Sequence, residues 1–204
     1  MDIRELAIPG AWEFSPTVHK DERGAFAEFY RFEALEAATG HALTLRQGNL
    51  SVSSRGVVRG IHYALVPPGQ AKYVMAVRGA FIDFVVDIRV GSPTFGQWDS
   101  LRIDDVDHRA VYLEEGLGHA IVALTDDATV SYLVSEVFNP DRELGLNILD
   151  ERIGLEFPPD IGELILSPKD QSAPSLDEAL AAGILPSWRE SRSLWPPNSQ
   201  RGES

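Results

Sequence analysis

The chain has 204 residues, of which 44% are hydrophobic, so it is long enough for one domain with a substantial core. Its formal charge of −13, its scattered basic residues and its lack of cysteine argue against a nucleic-acid-binding surface, disulfides and thiolate chemistry. The N-terminus has no apolar signal region and no apolar run approaches a membrane span, so we expect a cytoplasmic protein without a membrane partner.

Taken in chain order, most segments predict short β-strands. The alternating stretch "AFAEFYRFEA" gives way to a helix over about 32–39 that Gly40 ends. A strand pattern follows in "TLRQGNLSVS", and two β-rich runs, "AKYVMAVRG" and "AFIDFVVDIRVG", meet at Gly79 in a hairpin or a tight bend. Four more runs are "WDSLRIDD", "AVYLEEG", "HAIVALTD" and "ATVSYLVSEVF".

Strands at intervals of about 8 to 12 residues with turn signals between them are typical of an all-β sandwich or barrel. After Pro140 the chain becomes loop-like, apart from a helix over 175–183 with a capping box of Ser175 and Glu178 and a C-cap at Gly183. We therefore expect one domain over residues 1–185 and a polar, loosely held tail over 186–204.

The stretch "GVVRGIHY" (56–63) carries two polar side chains, Arg59 and His62, inside an apolar strand. Residues three apart face opposite sides of a strand, so a bend at Gly60 is needed to bring them together. Lys72 begins the following strand run, which could pair with this one. Burying two cations and an imidazole together is unfavourable without an anion, so the cluster predicts an anionic ligand.

A metal site is an alternative explanation for the histidines. Metal-binding barrels usually present two histidines one residue apart on the same strand face, with a further histidine and a carboxylate. Here the position two residues after His62 is Ala64, and His119 alone cannot complete a ligand set. We expect no metal.

Several other polar residues have an ordinary structural explanation when each is taken alone. Tyr132 could be a strand aromatic and Asp170 a solvated carboxylate in a proline turn. Strand-edge positions would account equally well for Arg23, Glu28, Gln47 and Asn49. Spacing alone does not favour a functional role for any of them.

Together, however, these residues lie in stretches that resemble a known family. The stretches are "DERGAFAEFY", "RQGNLSVSSRGVVRGIHY", "PPGQAKYVMAVRGAFIDFVVDIRVGSPTFGQW", "RAVYLEEGLGHAIVAL", "VSYLVSEVFNP" and "LSPKD". Their order and spacing resemble the dTDP-4-dehydrorhamnose 3,5-epimerase family over about residues 1–185, in particular members from antibiotic deoxysugar pathways.

This resemblance implies a cupin-type jelly roll that acts as a homodimer, without metal or organic cofactor, on a dTDP-4-keto-6-deoxyhexose. It implies inversion at C3, C5 or both, through an enolate. By the same resemblance, His62 is the general base and Asp170 the carboxylate that orients it. Tyr132 is the acid on the opposite face, Lys72 stabilises the enolate oxygen, and Arg59 lies near the pyrophosphate.

The resemblance further assigns nucleotide-sugar contacts, some of which reach across the dimer in the family. These residues are Arg23, Glu28, Gln47, Asn49, His119, Glu143 and Lys169. Position 138 departs from the family, because Phe138 stands where many members have a tyrosine and so lacks a hydroxyl near the expected sugar site. Our hypothesis is that Phe138 reflects a different sugar or a restriction to one centre, C5.

Two other functions remain open from the sequence. A dTDP-sugar ketoisomerase would use the same barrel and remove a proton from a similar carbon, but would return it to a different one. A jelly roll that only binds nucleotide sugars would need no acid and no base, so the full set of catalytic residues argues against it.

Overall fold

The computed structural model describes residues 1–195, which form thirteen strands and four short helices. The strands are β1 (Asp2–Glu5), β2 (Ala11–Ser15), β3 (Val18–Asp21), β4 (Gly24–Ala27), β5 (Gln47–Ser53), β6 (Val58–Ala64), β7 (Lys72–Arg78), β8 (Ala80–Val86), β9 (Trp98–Asp104), β10 (Ala110–Leu113), β11 (Gly118–Ala123), β12 (Ala128–Val134) and β13 (Glu143–Gly145). The helices are α1 (Phe32–Thr39), α2 (Pro168–Gln171), α3 (Leu176–Ala181) and α4 (Trp188–Leu194).

The strands form two antiparallel sheets that pack face to face. One has the order β1-β2-β10-β7-β12-β5 and the other the order β13-β6-β11-β8-β9, while β3 and β4 form a separate hairpin. Apart from β1–β2 and β8–β9, neighbours in a sheet are not consecutive in sequence, and the chain crosses repeatedly between the sheets, as in a jelly roll. The prediction of an all-β, cupin-type jelly roll with a few short helices is confirmed.

Apolar side chains from both sheets meet at the centre of this sandwich. Val74 of β7, Phe81 of β8 and Ile103 of β9 are fully buried in this core. A second apolar cluster covers the outer face of the five-stranded sheet, where Phe84 packs near Leu176 of α3. The five-stranded sheet is therefore packed with apolar side chains on both of its faces, which gives the cavity described below a rigid wall.

The helix signals in the sequence are confirmed. α1 ends at Gly40, which adopts φ +86°, a left-handed conformation that favours glycine. α3 begins with the predicted capping box of Ser175 and Glu178, but its C-cap residue is Ala182, and Gly183 follows one position later. None of the helices in the described residues has the length and apolar character that a membrane crossing requires.

Two expectations about strand pairing are resolved by the structure. The bend at Gly79 is a tight turn rather than a hairpin, because β7 and β8 belong to different sheets. The expected pairing of the Lys72 strand with the His62 strand is wrong, because β7 pairs with β10 and β12 while β6 pairs with β11 and β13. The two strands instead belong to opposite sheets, and side chains from both of them line the cavity between the sheets.

The first part of the predicted loose tail is packed against the body. Trp188 of α4 lies over the Arg89 guanidinium, with 4.4 Å between the guanidinium carbon and the ring centroid. Trp195 stacks on His41, with 3.7 Å between ring centroids. The prediction of a loosely held tail was wrong for residues 186–195. It rested on the polar residues and prolines of this segment and did not consider the packing of Trp188 and Trp195. Residues 196–204 of that tail lie outside the described residues.

Candidate active site

A cavity of about 530 Å³ opens between the two sheets and is lined by residues from both, including β6 and β7. It is lined by every residue that the sequence analysis assigned to the site except Arg23 and Glu28. Those lining residues are Gln47, Asn49, Arg59, His62, Lys72, His119, Tyr132, Phe138, Glu143, Lys169 and Asp170. The fold thus gathers into one cavity residues that are more than 120 positions apart in sequence.

His62 and Asp170 form a hydrogen-bonded pair on one wall of the cavity. Their Nε2 and Oδ1 atoms lie 2.7 Å apart. Asp170 is only 4% exposed, because the short helix α2 turns its side chain inward, and the Ser167 hydroxyl donates to its second oxygen at 2.8 Å. A carboxylate only accepts, so Nε2 carries the proton and Nδ1 of a neutral His62 is left as an acceptor.

Asp170 is held in its ionised form. Burial acts to raise its pKa, but the hydrogen bond and charge of His62 and the hydrogen bond of Ser167 lower it more, so the pKa lies below its ordinary value. An ionised carboxylate fixes the imidazole tautomer and stabilises the imidazolium that forms when His62 takes a proton. The alternative of a solvated turn carboxylate does not describe this residue.

Lys72 lies on the facing sheet and is only 7% exposed. Within residues 1–195 its ammonium group makes no hydrogen bond or ion pair. Burial lowers its pKa, while the charges of Glu143 and Asp83 act in the opposite direction. A buried cation with only distant compensation is unfavourable in the free protein, and it can interact with an anion that forms in the cavity.

Tyr132 projects from β12, in the same sheet as Lys72 and opposite His62. Its hydroxyl has no hydrogen-bond partner among residues 1–195. Burial and the nearby charge of Glu143 raise its pKa, against a smaller opposing effect of Arg59. The phenol therefore keeps its proton at neutral pH, and it can donate that proton toward the cavity from the wall that faces His62.

The bend at Gly60 explains how Arg59 and His62 reach the same cavity. The pairing of β6 with β11 shifts register between His62 and Arg59, and Gly60 adopts φ +128°. A Cβ atom there would lie 2.4 Å from the carbonyl oxygen of His119. Glycine is thus required both for the backbone conformation and for the close approach of the strands, as expected for a β-bulge.

The side chain of Arg59, on β6, is fixed by two hydrogen bonds to residues of β5. Its Nε donates to the Ser53 hydroxyl at 3.1 Å and a terminal nitrogen donates to the Val52 carbonyl at 3.2 Å. These bonds use only part of the guanidinium, and within the described residues no carboxylate forms an ion pair with it. The remaining donors are available to an anionic ligand in the cavity.

His119 belongs to a second histidine–carboxylate pair, which the sequence analysis did not find. Its Nε2 lies 2.9 Å from Oδ2 of Asp83, a residue that is 0% exposed. His119 and His62 are directly opposite one another on β11 and β6. The available signal was an acidic residue inside the apolar run "FIDFVV", because a buried carboxylate needs a partner.

Hydrogen bonds between polar side chains at the cavity mouth fix Gln47, Asn49 and Glu143. The Gln47 amide donates to Asn49 at 2.7 Å and accepts from the backbone N–H of Phe138 at 3.0 Å. Glu143 accepts from Gln70 at 3.3 Å, and Gln70 is a further lining residue that the sequence analysis missed. The Phe138 ring is more than half exposed and lies at this mouth.

Arg23 and Glu28 are outside the cavity. Arg23, at the turn of the β3–β4 hairpin, pairs with Asp21, and Glu28 pairs with Arg31 at 2.8 Å. Both residues are exposed on the surface of this chain, and neither lines the cavity.

A jelly roll that places a histidine–carboxylate pair, a buried lysine and a facing tyrosine around one cavity belongs to the class of acid–base enzymes. The family profile described as dTDP-4-dehydrorhamnose 3,5-epimerase matches residues 5–178. The chain therefore belongs to the dTDP-4-dehydrorhamnose 3,5-epimerase family, and it is an isomerase of the carbohydrate epimerase type.

Individual relatives agree with this assignment over nearly the whole chain. The dTDP-4-dehydrorhamnose 3,5-epimerase of Mycolicibacterium smegmatis is 54% identical over 190 residues, 93% of each chain. The structure of the RmlC epimerase of Mycobacterium tuberculosis matches with a TM-score of 0.93 at 48% identity, covering 95% of this chain and 98% of that one. ChmJ, a 3'-monoepimerase from Streptomyces bikiniensis solved with dTDP-quinovose, matches with a TM-score of 0.90 at 47% identity, covering 93% and 95%.

Proposed function

We propose that this protein inverts C3, C5 or both of a dTDP-4-keto-6-deoxyhexose. The single observation that carries the proposal is the placement of His62 and Tyr132 on facing walls of one cavity that also contains Lys72. Inversion requires a base and an acid on opposite sides of the sugar ring. The names of the relatives above support the substrate class.

In the proposed mechanism, Nδ1 of His62 removes the proton on the carbon beside the ketone. The C–H electrons move into a carbon–carbon double bond, and the carbonyl oxygen becomes an enolate that Lys72 stabilises. The carbonyl then re-forms while the carbon takes a proton from Tyr132 on the other face. Solvent resets both residues, so the net reaction changes only the configuration at that carbon.

General principles indicate how much each group contributes to the rate. A positioned general base contributes on the order of 10²- to 10⁴-fold. One preorganised donor at a developing oxyanion contributes about 3 kcal/mol of transition-state stabilisation. Asp170 acts through His62, since an ionised partner favours the imidazolium that the first step produces.

Arg59 provides the natural contact for the pyrophosphate. Arg59 lines the cavity and keeps donors that Ser53 and Val52 do not use. Lys169, next to Asp170 in sequence, adds a second cation to the lining. A planar guanidinium binds phosphate oxygens with two parallel hydrogen bonds, which orients the nucleotide as well as attracting it. The remaining polar residues at the mouth, Gln47, Asn49, His119 and Glu143, complete the proposed contacts with the nucleotide sugar.

The proposed mechanism needs no metal and no organic cofactor. The enolate charge is assigned to Lys72 and the proton transfers to His62 and Tyr132. We expect that a chelator leaves the rate unchanged. Loss of activity with EDTA and its return on adding a divalent metal would contradict this part of the proposal.

We also propose that the protein is a homodimer. Apolar side chains are exposed on the outer side of β5, an edge strand, where Leu50 and Val52 are more than half exposed, and on the β3–β4 hairpin at Phe26. In a dimer that covers these apolar side chains, Arg23 and Glu28 of one subunit could reach the cavity of its partner. A monomer by sedimentation at working concentration would contradict the proposal.

The centre that is inverted stays a prediction. Relatives with both double and single specificity match this chain at similar identity. Our hypothesis assigns the restriction to Phe138 and the reaction to C5. Phe138→Tyr should then broaden the reaction to C3, whereas a wild-type protein that already inverts both centres equally would overturn the hypothesis.

The proposal is tested by incubating the protein with a panel of dTDP-4-keto-6-deoxysugars in heavy water and analysing the products by NMR. We expect deuterium at the inverted carbon of at least one substrate. A product with the ketone at a different carbon would instead indicate a ketoisomerase. Tight dTDP binding without any exchange would indicate a non-catalytic binding protein.

A further inference from the structure

The C-terminal segment 186–195, here called the C-terminal strap, packs on the protein beyond the end of the family match at residue 178. It joins the body first through backbone hydrogen bonds. The N–H of Val90 donates to Pro186 at 2.8 Å, and the N–H of Trp188 donates to Val90 at 3.0 Å. The indole of Trp188 then covers the Arg89 guanidinium. These contacts hold helix α4 against the body.

The far end of the strap covers the turn between β10 and β11. The indole N–H of Trp195 donates to Oε2 of Glu115 at 2.7 Å while its ring lies parallel to His41. Ser191 packs directly on Gly116, where a Cβ atom would lie 2.3 Å from the serine hydroxyl. β10 pairs with the start of β7, so this turn lies behind the cavity end that contains Lys72.

A continuous chain of hydrogen bonds runs from this turn to the lysine. The Ser135 hydroxyl donates to Oε1 of Glu115 at 3.2 Å. The backbone N–H of Ala71, the residue before Lys72, donates to that same hydroxyl at 2.8 Å. Three hydrogen bonds therefore link the Trp195 indole to the backbone that carries Lys72.

The carboxyl group in the middle of this series of hydrogen bonds belongs to Glu115 and is buried, so its contact with Trp195 matters. Burial raises the pKa of Glu115, and the hydrogen bonds of Trp195 and Ser135 act in the opposite direction. Removing either donor leaves a buried acceptor short of partners, so the side chain must move or take up a proton. Because the Ser135 hydroxyl bonds both Glu115 and the Ala71 N–H, we expect the loss of either donor to be felt at the Ala71 backbone.

We propose that Trp195 is a positioning residue of the active site, acting through Glu115 and Ser135 on Lys72. The inference rests on the proposed function, in which Lys72 meets the enolate oxygen. Catalysis is sensitive to misplacement of such a group by about 1 Å. The C-terminal strap, on this account, is part of the catalytic framework rather than a peripheral tail.

The test compares Trp195→Phe, which keeps the ring on His41 but removes the indole N–H, with Ser135→Ala and the double variant. We expect each single change to lower kcat on the order of 5-fold with KM within about 2-fold. Because both substitutions interrupt the same series of hydrogen bonds, kcat of the double variant should be no lower than that of the worse single variant. Trp188→Phe is the matched control, which should leave kcat unchanged because a phenyl ring still covers Arg89 and Trp188 makes no hydrogen bond in the chain from Trp195 to Ala71.

A second readout does not depend on activity. The sequence has only three lysines, so ¹³C-lysine labelling gives few NMR signals, and Lys72→Met assigns the one of interest. The Lys72 signal should move in Trp195→Phe and Ser135→Ala but not in Trp188→Phe. Unchanged signals and rates, or additive losses in the double variant, would overturn the inference. A wild-type protein that turns over no dTDP-ketosugar would refute the proposed function instead. The NMR signal of Lys72 would still test the hydrogen-bond link between Trp195 and Lys72.

Discussion

Two regions of the molecule bury a cation and treat it in opposite ways. In the arginine centre (Asp87, Arg89, Ser92, Thr94), Arg89 is 0% exposed and donates to both oxygens of Asp87 at 2.8 and 2.9 Å and to the Pro9 carbonyl at 2.8 Å. In the cavity cluster (His62, Lys72, Tyr132, Asp170), Lys72 is nearly as buried but has no such partner within residues 1–195.

The difference separates structural charges from functional ones. Removing one partner of a buried, hydrogen-bonded ion pair is strongly destabilising, because the other charge is left buried without compensation. A buried cation without a partner is unfavourable for the folded state, and it is free to interact with charge that develops in a ligand. Substitutions in the two regions should therefore act on different observables.

The largest effect is expected for His62→Ala. The variant loses the general base, so kcat should fall on the order of 10²- to 10⁴-fold while dTDP affinity is retained. Steady-state assays and calorimetric titration with dTDP measure the two quantities. Exchange of the sugar's α-protons at the wild-type rate would show that the base lies elsewhere.

Lys72→Met sharpens the comparison directly. It should lower kcat on the order of 10²- to 10³-fold, because the enolate oxygen loses its donor. Its free energy of unfolding should be unchanged or higher, because an apolar side chain replaces an unpaired buried charge. Urea unfolding checks this second part, and a marked loss of stability would mean that the lysine is a structural charge like Arg89.

Arg89→Met is the opposite case. It should lower the free energy of unfolding by about 3 to 5 kcal/mol, because Asp87 is left buried and unpaired. The folded fraction at low temperature should retain most of its kcat/KM. A stable variant with lost activity would break the distinction between the two regions.

The smallest effect concerns the pH dependence of the arginine centre. Burial acts to raise the pKa of Asp87, but Arg89, Ser92 and Thr94 favour the ionised form more, so the pKa lies below its ordinary value of 3.8. This stabilisation is present above that ordinary value and is lost as the pH falls through the lower pKa of the folded state. Asp87→Asn should be less stable at pH 7 but lose less on acidification, as urea midpoints from pH 7 to pH 3 would show. Parallel curves would contradict the assignment.

Local signals in the sequence predicted the local features of the fold well. The capping box at Ser175 and the left-handed Gly40 were found because such motifs depend on a few neighbouring residues. The bend at Gly60 was found because Arg59 and His62 could not otherwise share a face. The pairing of the strands was not predicted, because the register between β6 and β11 depends on residues that are distant in sequence.

The site was predicted mainly through the family resemblance, which included the pairing of Asp170 with His62, whereas the pairing of Asp83 with His119 was not predicted. Nothing local to Asp170 shows that α2 buries it against His62. The position of Asp83 in an apolar run indicates a buried carboxylate, but only the fold shows that His119 is its partner. The strap was misjudged for the same reason, since the value of Trp195 depends on Glu115, which is 80 positions away.

The most direct test of the central claim, that base and acid act from opposite faces, is the fate of substrate hydrogen in Tyr132→Phe. With the phenol removed and His62 intact, the substrate in heavy water should take up deuterium at the reacting carbon with its configuration retained, because only the base's face can still exchange a proton. Product NMR distinguishes retention from inversion. Deuterium uptake with normal inversion in this variant would contradict the account.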